Sequence, residues 1–145
     1  MKLTGRWIKV LLDDSGGTPR DISTDVVSVD VPIEYDEIDM TGFQDAVQSS
    51  APGLPVMNVE LQLNMNPLAD TGGYTVVKSI LGGSTGRTLT VQVGQGAVPT
   101  TGDPEFEGEF WLPKLNLSAN PKGGIPLAVS LRPVSGVAPA WGTMA

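Results

Sequence analysis

The sequence contains neither cysteine nor histidine. Without cysteine there can be no disulfide, no thiolate nucleophile and no zinc site of the cysteine type. Without histidine the usual general base, the His-dependent triads and the commonest metal ligand are missing as well. Basic residues are scarce: nine Lys and Arg stand against 16 Asp and Glu, for a formal net charge of -7. They are scattered along the chain, whereas neutralising nucleic-acid phosphates needs them clustered. No apolar run reaches the roughly 18 residues of a membrane span. The opening "MKLTGRWIKVLLDD" is too charged, and its apolar part too short, for a signal peptide. The expectation is a soluble protein made in a cytoplasm, with no membrane partner, no cofactor, no metal and no enzymatic activity.

What is abundant is punctuation and alternation. At 145 residues the chain fits one domain, 1–145, and 40% hydrophobic content is enough for a core. Eighteen Gly and 12 Pro exceed the ordinary share and suit short strands joined by turns. In "DVVSVDVPIEY" Val27, Val29, Val31, Ile33 and Tyr35 share one parity. In "MNVELQLNM" Met57, Val59, Leu61, Leu63 and Met65 oppose Asn58, Glu60, Gln62 and Asn64. "RTLTVQV" and "IPLAVSL" repeat the pattern, and residues 7–12 read as a further strand, with Trp7 and Phe106 as large core fillers. Such strands belong to antiparallel sheets with one wet face.

Three segments depart from simple alternation. In "EFEGEFWLPKLNLSA" the apolar parity slips after Pro113, which signals a bulge and turns Phe110 and Trp111 to opposite sides. "DTGGYTVVKSILGG" spaces Tyr74, Val77, Ile80 and Leu81 as a short helix over 71–81, with Asp70 or Thr71 as cap and Gly82-Gly83 as stop. Residues 40–55 form a connector longer than a hairpin needs, carrying Phe43, Val47 and Leu54. A C-terminal arm over 133–145 similarly holds Trp141. Either these two segments fold back on their own domain or they dock on a neighbour. The expected fold is mainly β: a sandwich of partly rolled antiparallel sheets, six or seven strands, with one short flanking helix.

The acid-rich stretch "EYDEIDMTGFQD" invites a metal reading, yet Glu34 and Asp36 fall on one parity and Glu37 and Asp39 on the other. The spacing of a calcium loop is missing, so the stretch reads as a strand end with a bulge near Glu37, leading into a polar loop. "DDSGG" reads as a hairpin turn. Asp70-Thr71-Gly72 matches the triplet of homodimeric aspartic proteases, but the hydrophobic-hydrophobic-Gly element of those enzymes comes much later, whereas "ILG" follows here after only seven residues, and the triplet fits a helix start as well. "GGSTGRT" lacks the Gly-Lys-Ser/Thr of a phosphate loop, and turn chemistry explains it better.

Taken in order, "RDISTDVVSVDVPIEYDEIDMTGFQD", the helix segment, "GRTLTVQV" and the closing "GVAPAW" resemble the tail-tube (major tail) proteins of long-tailed bacteriophages. The resemblance covers nearly the whole chain through short, degenerate motifs. It implies a structural virion protein, assembled in the host cytoplasm, whose homohexameric rings stack into a hollow tail tube. The partners it implies are sister copies and other tail proteins, with genomic DNA passing unbound. It also implies that residues 40–55 bridge stacked rings and that an acidic lumen repels DNA. On this view Phe43, Val47, Leu54 and Trp141 are candidate subunit contacts, and Asn58, Glu60, Gln62 and Asn64 a candidate lumen face. Head decoration, head-tail joining and other tail or baseplate roles are the alternatives.

Overall fold

The computed structural model describes residues 2–134, 136 and 138–145. Ser135 and Val137, within the expected arm and the "GVAPAW" motif, lie outside the described residues. In chain order the elements are β1 (Ile8–Asp13), β2 (Pro19–Asp21), β3 (Val26–Asp30), β4 (Glu34–Asp39), β5 (Ser50–Val56), β6 (Val59–Asn64), α1 (Gly73–Ile80), β7 (Arg87–Val93), β8 (Pro104–Leu117), β9 (Pro126–Pro133) and β10 (Ala140–Thr143). One sheet runs β2-β1-β7-β8-β9-β6-β3, with β10 added alongside β8, while β4 and β5 pair only with each other. All these strand pairs are antiparallel. The mainly β, antiparallel, one-helix expectation holds, with more strands than the six or seven read from alternation.

Strand β8 explains how one sheet makes two layers. Its first half pairs β7, from Gln92↔Glu105 to Arg87↔Phe110. Its second half pairs β9, from Lys114↔Ser130 to Leu117↔Leu127, after a register shift between Trp111 and Lys114. Pro113 sits inside that shift and cannot donate to a ladder, so the strand bends there and serves both halves. Phe110 is fully buried and Trp111 partly exposed, the opposite pointing that the parity slip implied. Val10, Leu12, Leu89, Val91, Phe106 and Phe110 line one half of the core; Val59, Leu61, Leu63, Leu127, Val129 and Leu131 line the other.

Helix α1 closes the core with Val76, Val77 and Ile80. Tyr74 packs against the rim and Leu81 is exposed, so the buried stripe is rotated by one position from the expected set. The cap is also different. Asp70 and Thr71 do not cap; the N-cap is Gly72, and the Gly73 N–H donates to Asp25 Oδ2 at 2.8 Å. The same carboxylate accepts from Asn66 Nδ2 at 3.0 Å, tying the helix start to the turn before β3. Gly72 is required there, because a Cβ would lie 2.2 Å from the Asn66 carbonyl oxygen. The glycine stop is as expected: Gly82 adopts φ 76° and its N–H donates to the Leu112 carbonyl at 2.9 Å.

Three further readings are corrected. Trp7 is not a core filler: it ends a 3-10 turn, Gly5–Trp7, and stays half-buried. The 27–35 alternation is not one strand with a buried oily side. A bulge between Val26 and Ser28 turns Val26 and Val29 inward and leaves Val27 exposed, and Pro32 falls in the gap before β4. The 40–55 connector is partly strand, since β5 takes up residues 50–55 of it.

Candidate assembly surfaces

Strands β4 and β5 form a two-stranded ribbon outside the main sheet. Every β4 residue is exposed, because a two-stranded ribbon has no layer to bury a face against. The register runs Tyr35↔Pro55 and then Glu37↔Pro52, so Gly53 and Leu54 together oppose Asp36. This is the bulge expected near Glu37, and Gly53 fits it because a Cβ would meet Asp36 at 3.1 Å. Glu34, Asp36 and Ile38 share one face while Tyr35, Glu37 and Asp39 share the other, so the acids diverge.

At the ribbon tip the carboxylates make turns. Asp39 Oδ1 accepts the Thr41 N–H at 2.9 Å, and that bond, followed by the Thr41 hydroxyl, holds the Asp39 carboxyl below its usual range. Asp45 Oδ2 accepts the Gly42 N–H at 2.6 Å. The tip carries large apolar groups into solvent, Phe43 at 112% relative exposure and Val47 at 75%, and nearer the base Leu54 is 80% exposed in the β5 bulge. Ile38, Met40 and Tyr35 are exposed beside them. Alternation alone had grouped Tyr35 with core residues; the density of acids around it and Pro32 before it were the contrary signals.

Trp141 behaves differently. Strand β10 folds back onto β8 with Trp141 opposite Phe106, their ring centroids 5.4 Å apart. The C-terminal segment is thus anchored on its own domain, and 45% of Trp141 remains exposed.

The alternating polar side of β6 is present as expected. Gln62 and Asn64 are exposed, while Asn58 and Glu60 are half-buried. Glu60 accepts Ser130 Oγ at 2.6 Å and Arg132 Nη1 at 3.2 Å, which neutralises much of its charge locally. Ser28, Gln62, Ala128 and Asn116 make an uncharged row across the four strands of this half. The other half is more acidic. Glu105, Glu107 and Glu109 alternate along β8, and burial first, then repulsion from Glu105, pushes the Glu107 carboxyl up. The "EFEGEF" alternation could have revealed this ladder.

Asp70 is exposed, in a left-handed turn at φ 64° before α1. Among the described residues no cluster of three or more acids could hold a metal, and no helix is long and apolar enough to cross a membrane.

No protein-family model matches the chain. No curated protein sequence matches it either. Solved structures do. A chain from the SPP1 tail tube superposes at TM-score 0.74 with 9% identity, covering 99% of this chain and 80% of that one. A chain from the C6-symmetric tail of an empty gene transfer agent particle gives 0.67 and 14%, covering 99% and 100%. A chain from the sheath-tube complex of an extracellular contractile injection system, PVC, gives 0.70 and 16%, covering 99% and 93%. At these identities the likeness establishes the fold, and it does so over essentially the whole chain.

Proposed function

We propose that this protein is the repeating subunit of a tail tube, a structural virion protein whose rings of six stack into a conduit for the genome. The observation that carries the reading is the ribbon. Large side chains at Phe43, Val47 and Leu54 stand in water on a two-stranded element with open edges, a liability in a lone protomer that a sister copy removes. A closed ring that stacks through such an element gives a tube of fixed bore. The fold match to chains of tail and tube structures, one of them sixfold symmetric, supports the same conclusion.

Phe43, Val47 and Leu54 are assigned to contacts between stacked rings, and the exposed part of Trp141 to a contact beside β10. The polar face of Asn58, Glu60, Gln62 and Asn64 is assigned to the lumen, where short, largely uncharged side chains offer passing DNA nothing to grip. The net charge of -7 supports a conduit that repels phosphates. Domain 1–145 does this without turnover, and its partners are its own copies and other tail proteins.

Phe43→Asp tests the reading. The side chain makes no packing inside the protomer, so circular dichroism and melting temperature stay at wild-type values while polymerisation is abolished. Normal tubes from this variant would refute the assignment. Binding to heads without any tube would instead favour a decoration or joining role.

A further inference from the structure

We propose that the cleft at the start of β1 is the receptor for the β4–β5 ribbon of a second copy. The inference rests on the tube reading only in that copies of the chain meet; it adds which surface receives the ribbon. The two surfaces are complementary in charge. No Lys or Arg occurs between Arg20 and Lys78, so the ribbon, with Glu34, Asp36, Glu37, Asp39 and Asp45, has no cation of its own. By contrast Lys2, Arg6 and Lys9 fall within the first nine residues. Arg6 and Lys9 line a cleft of about 350 Å³ together with Trp7, Val98 and Asp21. Asp21 is the one carboxylate there; its Oδ1 accepts the Ser23 N–H at 3.0 Å, and it forms no ion pair with Arg6 or Lys9. Among the described residues only Arg20 and Arg132 are in ion pairs, leaving Arg6 and Lys9 without a carboxylate partner.

The apolar features match as well. The Arg6 guanidinium lies 4.6 Å above the Trp7 ring, holding a flat cationic and aromatic floor. Val98 stands on the rim at 75% exposure, a counterpart for Ile38 and Leu54 of the ribbon. Strand β2 covers β1 from Leu11 to Asp13, and beyond it the Ile22 N–H and the Ser23 hydroxyl bond the Val10 main chain, so only the Ile8 end of β1 is without a ladder partner on that side. The ribbon's outer edges are equally without strand partners. An acidic, apolar ribbon can therefore seat against this cleft with its carboxylates meeting Arg6 and Lys9.

The chain lacks cysteine, so a background-free crosslink is available. Leu54→Cys and Val98→Cys variants, each at an exposed position, are mixed and treated with a short bis-maleimide, and wild-type protein is imaged in parallel. The expected result is a mixed 54–98 dimer in at least about tenfold excess over either self-crosslinked dimer, as complementary charges select the pair. It should fall in about 1 M salt, where the Debye length shrinks to about 3 Å. It should also disappear when Arg6→Glu and Lys9→Glu are added to the Val98→Cys chain. Tubes without the mixed crosslink would overturn the receptor while leaving the tube reading intact. A mixed crosslink without tubes would uphold the receptor and sink the tube. Neither crosslink nor particle would sink both.

Discussion

At the residue scale the most consequential side chain outside the core is Asp25. Its carboxylate replaces the local cap that α1 lacks, and it also holds Asn66 in the turn before the helix. Asp25→Ala strands the Gly73 N–H and the Asn66 amide together. A loss of about 1–2 kcal/mol follows, from the usual worth of an N-cap and of a hydrogen bond to a charged group. Urea unfolding would measure it, and Asp25→Asn, which keeps an acceptor, should lose less. This contact was illegible in the sequence because partners 48 positions apart leave no periodic trace, whereas Asp70 and Thr71 stood where caps usually stand.

Glu107 gives a pH prediction with a definite sign. Its folded carboxyl is raised, so between the ordinary value of 4.5 and the folded value the native state holds more protons than the unfolded one. Stability from this group is therefore lost as pH rises through that window. Glu107→Gln should raise the melting temperature at neutral pH, and the gain should vanish below pH 4.5, where the wild-type group is already neutral. Asp14 and Asp39 have the opposite sense: both are lowered, by Thr18 and Thr41 backbone N–H groups above all, and their contribution is lost as pH falls.

At the element scale, legibility tracks burial. Strands β6, β7 and β9 were readable because one face of each lies on the core, so period two in the sequence maps directly onto packing. The bend in β8 was readable for the same reason, since Pro113 marks where the buried parity changes. Of the ribbon only the strand end and bulge near Glu37 were readable; β5 and the ribbon's separation from the sheet were not, because no face of it is buried and its apolar residues follow β-propensity without a core to point at. Trp7 failed through the 3-10 turn that precedes β1. Phe43, Val47 and Leu54 stood out as large apolar groups in a polar connector with no evident partner, and in the structure all three are exposed.

The ribbon also makes a dynamic prediction. With only its own ladder and no packed layer, residues 34–56 belong to the low-stability end of the molecule. Amide hydrogen exchange should be fast there in the protomer and slow by at least about a hundredfold once copies assemble, while β6 to β9 stay protected throughout. Equal exchange in both states would mean that assembly does not use the ribbon.

At the whole-molecule scale the protein combines a self-sufficient core with one element that is not self-sufficient. Both halves of the sheet share a continuous apolar interior and the C-terminal strand is anchored on β8, so folding does not wait for a partner. The ribbon is left with unpaired edges and exposed large side chains, Phe43 above all, and it carries the acids that a cation-lined cleft on another copy would neutralise. The most direct measurement is electron microscopy of the purified wild-type protein at high concentration, with sedimentation on the same sample. Hollow, sixfold-symmetric tubes or ring stacks are the predicted outcome; a monodisperse protomer that never associates, under any salt or concentration that keeps it folded, would contradict it.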